Sequence, residues 1–96
     1  RAQMRGIVAN PMITNLFELG ENNFNFLGQL ASAKEITLSN QISPDLKAYI
    51  DPHQIDLVFR NLINNAIKFT PMKGSITLKS VIYSEFCEIS IIDNGV

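Results

Sequence analysis

The sequence has no tryptophan and a single cysteine, Cys87. No internal disulfide framework is possible, and a reducing, cytoplasmic location is the expectation, with a membrane anchor elsewhere in a parent protein left open. Charge of one sign is also missing: eight Lys and Arg stand against nine Asp and Glu, for a formal net charge of −1. With no Arg/Lys cluster there is no electrostatic footprint for nucleic acid. Long apolar runs are absent. Nothing approaches the roughly 20 apolar residues of a spanning helix, or the pattern of a signal peptide. The low charge does not signal disorder, because apolar residues make up 46% of the chain and charged ones 18%. At 96 residues it forms one modest domain or a piece of a larger one, with a thin core.

The hydropathy pattern divides the chain. Residues 1–10 carry Met4, Ile7 and Val8 at near-helical spacing and stop at Asn10-Pro11, since the residue before proline avoids the α region. They read as the last turns of a longer helix or as a frayed terminus. After a brief extended start, the pattern to Ala33 is helical, with Asn15 as N-cap and Leu16, Leu19, Phe26, Leu27, Leu30 and Ala33 on one side. Gly20, Asn22, Asn23 and Asn25 weaken this helix, so packing must hold it. The period then changes to two. Ile36 to Ile42, interrupted at Asn40, and Leu46 to Ile50 read as strands around a Ser43-Pro44-Asp45 turn.

Asp51-Pro52 opens a second helix, with Asp51 as cap and Pro52 where its missing N–H costs nothing. Its apolar face is Ile55, Val58, Phe59, Leu62, Ile63, Ala66 and Phe69, and Thr70-Pro71 ends it. Ser75 to Tyr83 and Cys87 to Asp93 then alternate as two strands of a hairpin turned at Tyr83-Ser84-Glu85-Phe86. The expected fold class is α/β (α+β): a two-layer sandwich of one mixed sheet with helices on one face.

One feature exceeds ordinary amphipathicity. At 100° per residue, Asn61, Asn65 and Lys68 fall within about 60° of each other, flanking the apolar face instead of opposing it. Amide oxygens are neutral hard ligands suited to Mg²⁺, and an ammonium offsets phosphate charge. The same spacing also describes an ordinary solvated helix face. Asp93 shares the parity of Cys87, Ile89 and Ile91, so it points to the strand's apolar side, where a carboxylate needs a donor such as an adenine amino group. Gly95 would let backbone approach a ligand closely, while Asp-Asn-Gly is equally a common turn. His53, in a helix's first turn, reads as solvent-facing, and Cys87 as a small core residue.

Together, the run Asn61 to Pro71 (NLINNAIKFTP) and Asp93-Asn94-Gly95 resemble the N box and first glycine box of the ATP-binding domain of sensor histidine kinases. Ala33-Lys34-Glu35-Ile36 also fits that family, which more often has glycine at position 35, and residues 1–8 resemble the end of its second dimerisation helix. The resemblance implies an incomplete sandwich of the GHKL, or Bergerat, type. It divides the chain into a dimerisation-helix remnant at 1–10 and the first part of a catalytic domain at 11–96.

The resemblance also implies roles. Asn65 holds the Mg²⁺ that bridges the triphosphate, Asn61 lies near phosphates and metal, and Lys68 contacts phosphate. Asp93 binds the adenine amino group, with Gly95 beside it. Cofactors would be ATP and Mg²⁺. Partners would be the protein's own dimerisation and phosphoacceptor domain, a response regulator receiver domain and, in the full-length protein, a second copy. Hydrolytic relatives of the superfamily carry glutamate at the position of Asn61. An amide cannot act as general base there, which favours γ-phosphoryl transfer to a histidine on another segment over hydrolysis. A second glycine-rich segment, a lid and an acceptor histidine are expected outside these 96 residues, which alone would bind Mg-ATP weakly. An anti-sigma-type serine kinase or other nucleotide-gated switch is the alternative, and a structural module that has lost nucleotide binding is a third reading.

Overall fold

The computed structural model describes residues 10–94. The expectation of an upstream helix end over residues 1–9, and Gly95, lie outside them. In chain order the elements are β1 (Met12–Asn15), α1 (Leu16–Phe26), α2 (Gly28–Ala33), β2 (Thr37–Gln41), β3 (Lys47–Ile50), α3 (Pro52–Phe69), β4 (Ser75–Ile82) and β5 (Cys87–Asp93). β2 pairs parallel with β4, which pairs antiparallel with β5, giving a mixed three-stranded sheet. β1 and β3 form a separate antiparallel pair, so the extended start before α1 is a true strand and the five strands make two sheets.

The helix boundaries follow the caps legible in the sequence. Asn15 accepts from the Glu18 N–H at 2.8 Å. Asp51 accepts from the N–H groups of His53 at 2.9 Å and Gln54 at 3.4 Å, with Pro52 opening α3. Such caps satisfy donors that the first helical turn leaves unpaired. At the other end Thr70 takes an extended conformation, and its N–H closes on the Ala66 carbonyl at 2.9 Å. The hairpin turn forms where expected: Tyr83 N–H donates to Phe86 O at 2.8 Å, and the two rings stack with centroids 4.6 Å apart.

Two expectations about packing are corrected. The region before Ala33 is two helices, because Leu27 leaves the α region at φ −97°, ψ 7°. The break shifts the buried face: Phe24 is buried, whereas Phe26, Leu30 and Ala33 are exposed. On α3, Phe59, Ile63, Ala66 and Ile67 are buried, and Val58, Leu62 and Phe69 are not. The helix's apolar arc is wider than its packed half. Gly20, which weakens α1 by propensity, also has a packing role. A Cβ there would come within 2.9 Å of Leu78 Cδ1 and 3.1 Å of Asn40 Nδ2, so its hydrogen is what lets α1 lie close against the sheet.

The fully buried centre is Ile42, Ile63, Ile76 and Leu78, between α3 and the sheet. Leu38 and Asn40 on β2 lie in register with Ile76 and Leu78 on β4. Asn40 interrupts the apolar alternation because its amide works inward. It donates to Phe17 O at 3.0 Å and Glu21 Oε2 at 3.1 Å, and its oxygen accepts from Ile42 N–H at 3.2 Å.

Candidate functional site

The unpacked half of α3's apolar arc opens onto a cavity of about 640 Å³. Val58, Leu62, Asn65 and Phe69 line it from α3, and Cys87, Ile89, Ile91 and Asp93 from β5. The β5 residues alternate, as a pleated strand requires, so the parity that groups Asp93 with Ile89 and Ile91 holds. Cys87 is half-buried in this wall and is not sealed in the core. Apart from its thiol, Asn65 and Asp93 bring the only polar side chains among the described residues lining the cavity. An apolar slot with a few placed polar groups is the usual construction of a small-molecule site.

The other candidates are placed differently. Asn61 and Lys68 are exposed and do not line this cavity. Lys68 borders a smaller one with Lys34, Asn64 and Ile67. Its amine nevertheless sits 5.4 Å from the centroid of the Phe69 ring, which itself lines the large cavity. Asp93 is exposed, not buried as its parity suggests, and it lies in register with Ile76 on β4. His53 is exposed, as expected.

The residue after Asp93 is held firmly. Asn94 accepts from the Ser75 N–H through Oδ1 at 2.7 Å and donates its own N–H to Ser75 O at 3.2 Å. Gly74, next to Ser75, has no room for a side chain, because a Cβ would meet Thr70 Cγ2 at 2.4 Å. The end of β5 is thereby tied to the loop that follows α3. Sequence reasoning missed Val58, Leu62 and Phe69 as cavity walls, although Leu62 and Phe69 lie three and four residues from Asn65, the spacing of side chains on one helix side.

Among the described residues there is no group of three or more His, Cys, Asp or Glu that could hold a metal ion by itself. An amide oxygen such as that of Asn65 suits an ion that arrives with a polyphosphate, since Mg²⁺ commonly takes few protein ligands and keeps phosphate oxygens and water. No helix among the described residues is long and apolar enough to cross a membrane.

This arrangement of sheet and helices is the fold of histidine-kinase catalytic domains. The catalytic domain of histidine kinase ThkA matches with a TM-score of 0.84 at 24% identity, over 91% of this chain and 60% of that one. Full-length ShkA in complex with AMPPNP matches at 0.82 and 21% identity, over 93% and 19%. ThkA in complex with the response regulator TrrA matches at 0.79 and 24%, over 86% and 25%. In sequence, the adaptive-response sensory kinase SasA of Synechocystis sp. is 39% identical over 66 residues, 67% of this chain and 17% of that protein. SasA of Synechococcus elongatus is 32% identical over 97 aligned positions, 99% of this chain and 23% of that protein. No family model matches the sequence. Both comparisons point to one class: the chain's relatives are histidine kinases, and its fold is that of their catalytic domains. The chain spans about a fifth of the length of these SasA relatives.

Proposed function

We propose that the chain is the nucleotide-binding part of a two-component sensor histidine kinase, presenting ATP for transfer of its γ-phosphoryl group to a histidine on a separate segment. The observation that carries this is the cavity shared by Asn65 and Asp93. It offers a flat purine apolar walls, a carboxylate for its exocyclic amino group at the end of β5, and an amide on α3. Asn65 would hold Mg²⁺ together with the phosphates, which the ion's preference for oxygen ligands favours. Lys68, exposed with its amine over the Phe69 ring at the cavity's edge, is free to swing to a phosphate. Asn61 and Gly95 complete the proposed set near the phosphates and purine. An amide at 61 supplies no general base, so positioning and charge stabilisation carry the transfer.

The neighbour solved with AMPPNP supports a nucleotide ligand, and the one solved with a response regulator supports a receiver domain as a partner. The remaining partners in this reading are the protein's own dimerisation and phosphoacceptor domain and a second copy. Residues 1–10 would be the end of a dimerisation helix and 11–96 catalytic domain, working in the cytoplasm. The test is Asn65→Ala in the full-length protein. Autophosphorylation from γ-labelled ATP is expected to be lost with the circular dichroism spectrum retained, and normal incorporation would remove Asn65 from the metal role. Asp93→Asn should erode the preference for ATP over GTP, and an unchanged preference would count against the purine assignment.

A further inference from the structure

The end of α3 works against the anion proposed to sit beside it. A helix C-terminus carries about half a negative elementary charge on carbonyls that lack internal donors. Asn65 and Lys68 belong to the last two turns of α3. A triphosphate reaching both meets that field.

Part of it is offset from elsewhere in the chain. Ala66 O is taken by the Thr70 N–H. The next two carbonyls are taken by one ammonium: Lys34 Nζ donates to Ile67 O at 2.8 Å and to Lys68 O at 3.1 Å. Lys34 is the C-cap residue of α2, and its main chain is equally fixed. Its N–H donates to Ala31 O at 3.1 Å, and its carbonyl accepts from Lys73 N–H at 2.8 Å. Lys34 therefore grips the last turn of α3 with its side chain and the following loop with its backbone. The turn that presents it is tight: Glu35 sits at φ +56°, and Ile36 N–H returns to Ala31 O at 2.9 Å.

We propose that Lys34 is a positioning residue for the nucleotide site. By binding Ile67 O and Lys68 O it neutralises the negative end of α3 and holds the turn from which Lys68 extends, so that α3 can accept a polyphosphate. The inference rests on the ATP-binding reading given above. Charge and hydrogen bonding are separable here: a glutamine side chain could still donate to a carbonyl, but only lysine or arginine brings the positive charge.

The experiment measures ATP and adenosine affinity, by displacement of a fluorescent ATP analogue, for the full-length wild type and for Lys34→Met, Lys34→Gln and Lys34→Arg, with thermal melts alongside. Lys34→Met and Lys34→Gln are expected to weaken ATP binding about tenfold while adenosine changes less than about twofold, and Lys34→Arg to restore most of the loss. Should Lys34→Met fail to fold, the Gln and Arg variants carry the same comparison. An equal loss for adenosine and ATP in a folded variant reduces Lys34 to a structural role and overturns the proposal. Unchanged ATP affinity in Lys34→Gln, with wild-type binding intact, overturns it alone. A wild type that binds no ATP overturns the kinase reading and this inference together.

Discussion

The side-chain amide of Asn23, fully buried on α1, donates to Asp56 Oδ1 on α3 at 2.8 Å. Its Nδ2 also reaches Leu19 O at 3.0 Å, and its oxygen accepts from Arg60 Nε at 3.2 Å. Arg60 in turn pairs with Asp56 at 2.9 Å and lies 4.4 Å from the centre of the Phe26 ring. The two helices are thus joined by a polar knot whose central amide is satisfied on both atoms.

Removing that amide strands its partners. Asn23→Ala is expected to destabilise by about 1–3 kcal/mol, read from denaturant midpoints, because Asp56 and Arg60 each lose a partner next to a buried gap. A double-mutant cycle with Arg60→Met should give a coupling of about 0.5–3 kcal/mol. Additive effects within a few tenths would show that the two side chains act independently.

Gly20 poses two opposed effects of similar size. Alanine there gains about 1 kcal/mol of helix propensity but drives a methyl to 2.9 Å from Leu78 Cδ1, in the fully buried centre. Overpacking of that kind costs about 1–3 kcal/mol, so Gly20→Ala should be net destabilising, and Gly20→Val much more so. A stabilised Gly20→Ala in equilibrium unfolding would mean that α1 does not lie this close to the sheet.

The caps, the hairpin turn and the strand parities were legible because each depends on neighbours within four residues. Asn15, Asp51-Pro52 and Thr70-Pro71 mark helix ends through their own backbone preferences. The inward turn of Asn23 and Asn40 was not legible, since both answer to partners more than fifteen residues away. The site divides similarly. Spacing groups Asn61, Asn65 and Lys68, yet only Asn65 lines the cavity with Asp93, because α1 and the sheet decide which part of α3's apolar arc stays open. Lys34 could not be read at all from spacing, as its contacts lie more than thirty residues along the chain.

Glu35 takes φ +56°, a left-handed conformation that costs a residue with a Cβ roughly 1 kcal/mol or more. A glycine there, which the family resemblance leads one to expect, would avoid that cost. Glu35 is exposed, so little packing is lost on truncation. Glu35→Gly should therefore raise stability by up to about 1 kcal/mol, whereas Glu35→Val should lower it, because a β-branched side chain is a poor fit to positive φ. Thermal melts of the two variants check this. Equal melting temperatures for both would argue against a left-handed residue at 35.

Asp51 joins α3 to the chain entering from residue 10. Its carboxyl is held below the usual carboxylate range chiefly by the Asn10 N–H, which donates to Oδ2 at 2.9 Å. The His53 and Gln54 N–H groups and the nearby His53 charge act in the same direction, against a desolvation that raises it. A folded-state pKa depressed in this way stabilises the protein above the unfolded value, near 3.8, and that stabilisation disappears as pH falls through the folded value. Asp51→Asn keeps an acceptor at the cap but removes the titration. The wild type should therefore melt above Asp51→Asn at pH 7, with the gap constant down to about pH 5 and closing below about pH 4. A gap that persists unchanged to pH 2.5 would show that the ionised carboxylate is not what holds Asn10 and the start of α3 together.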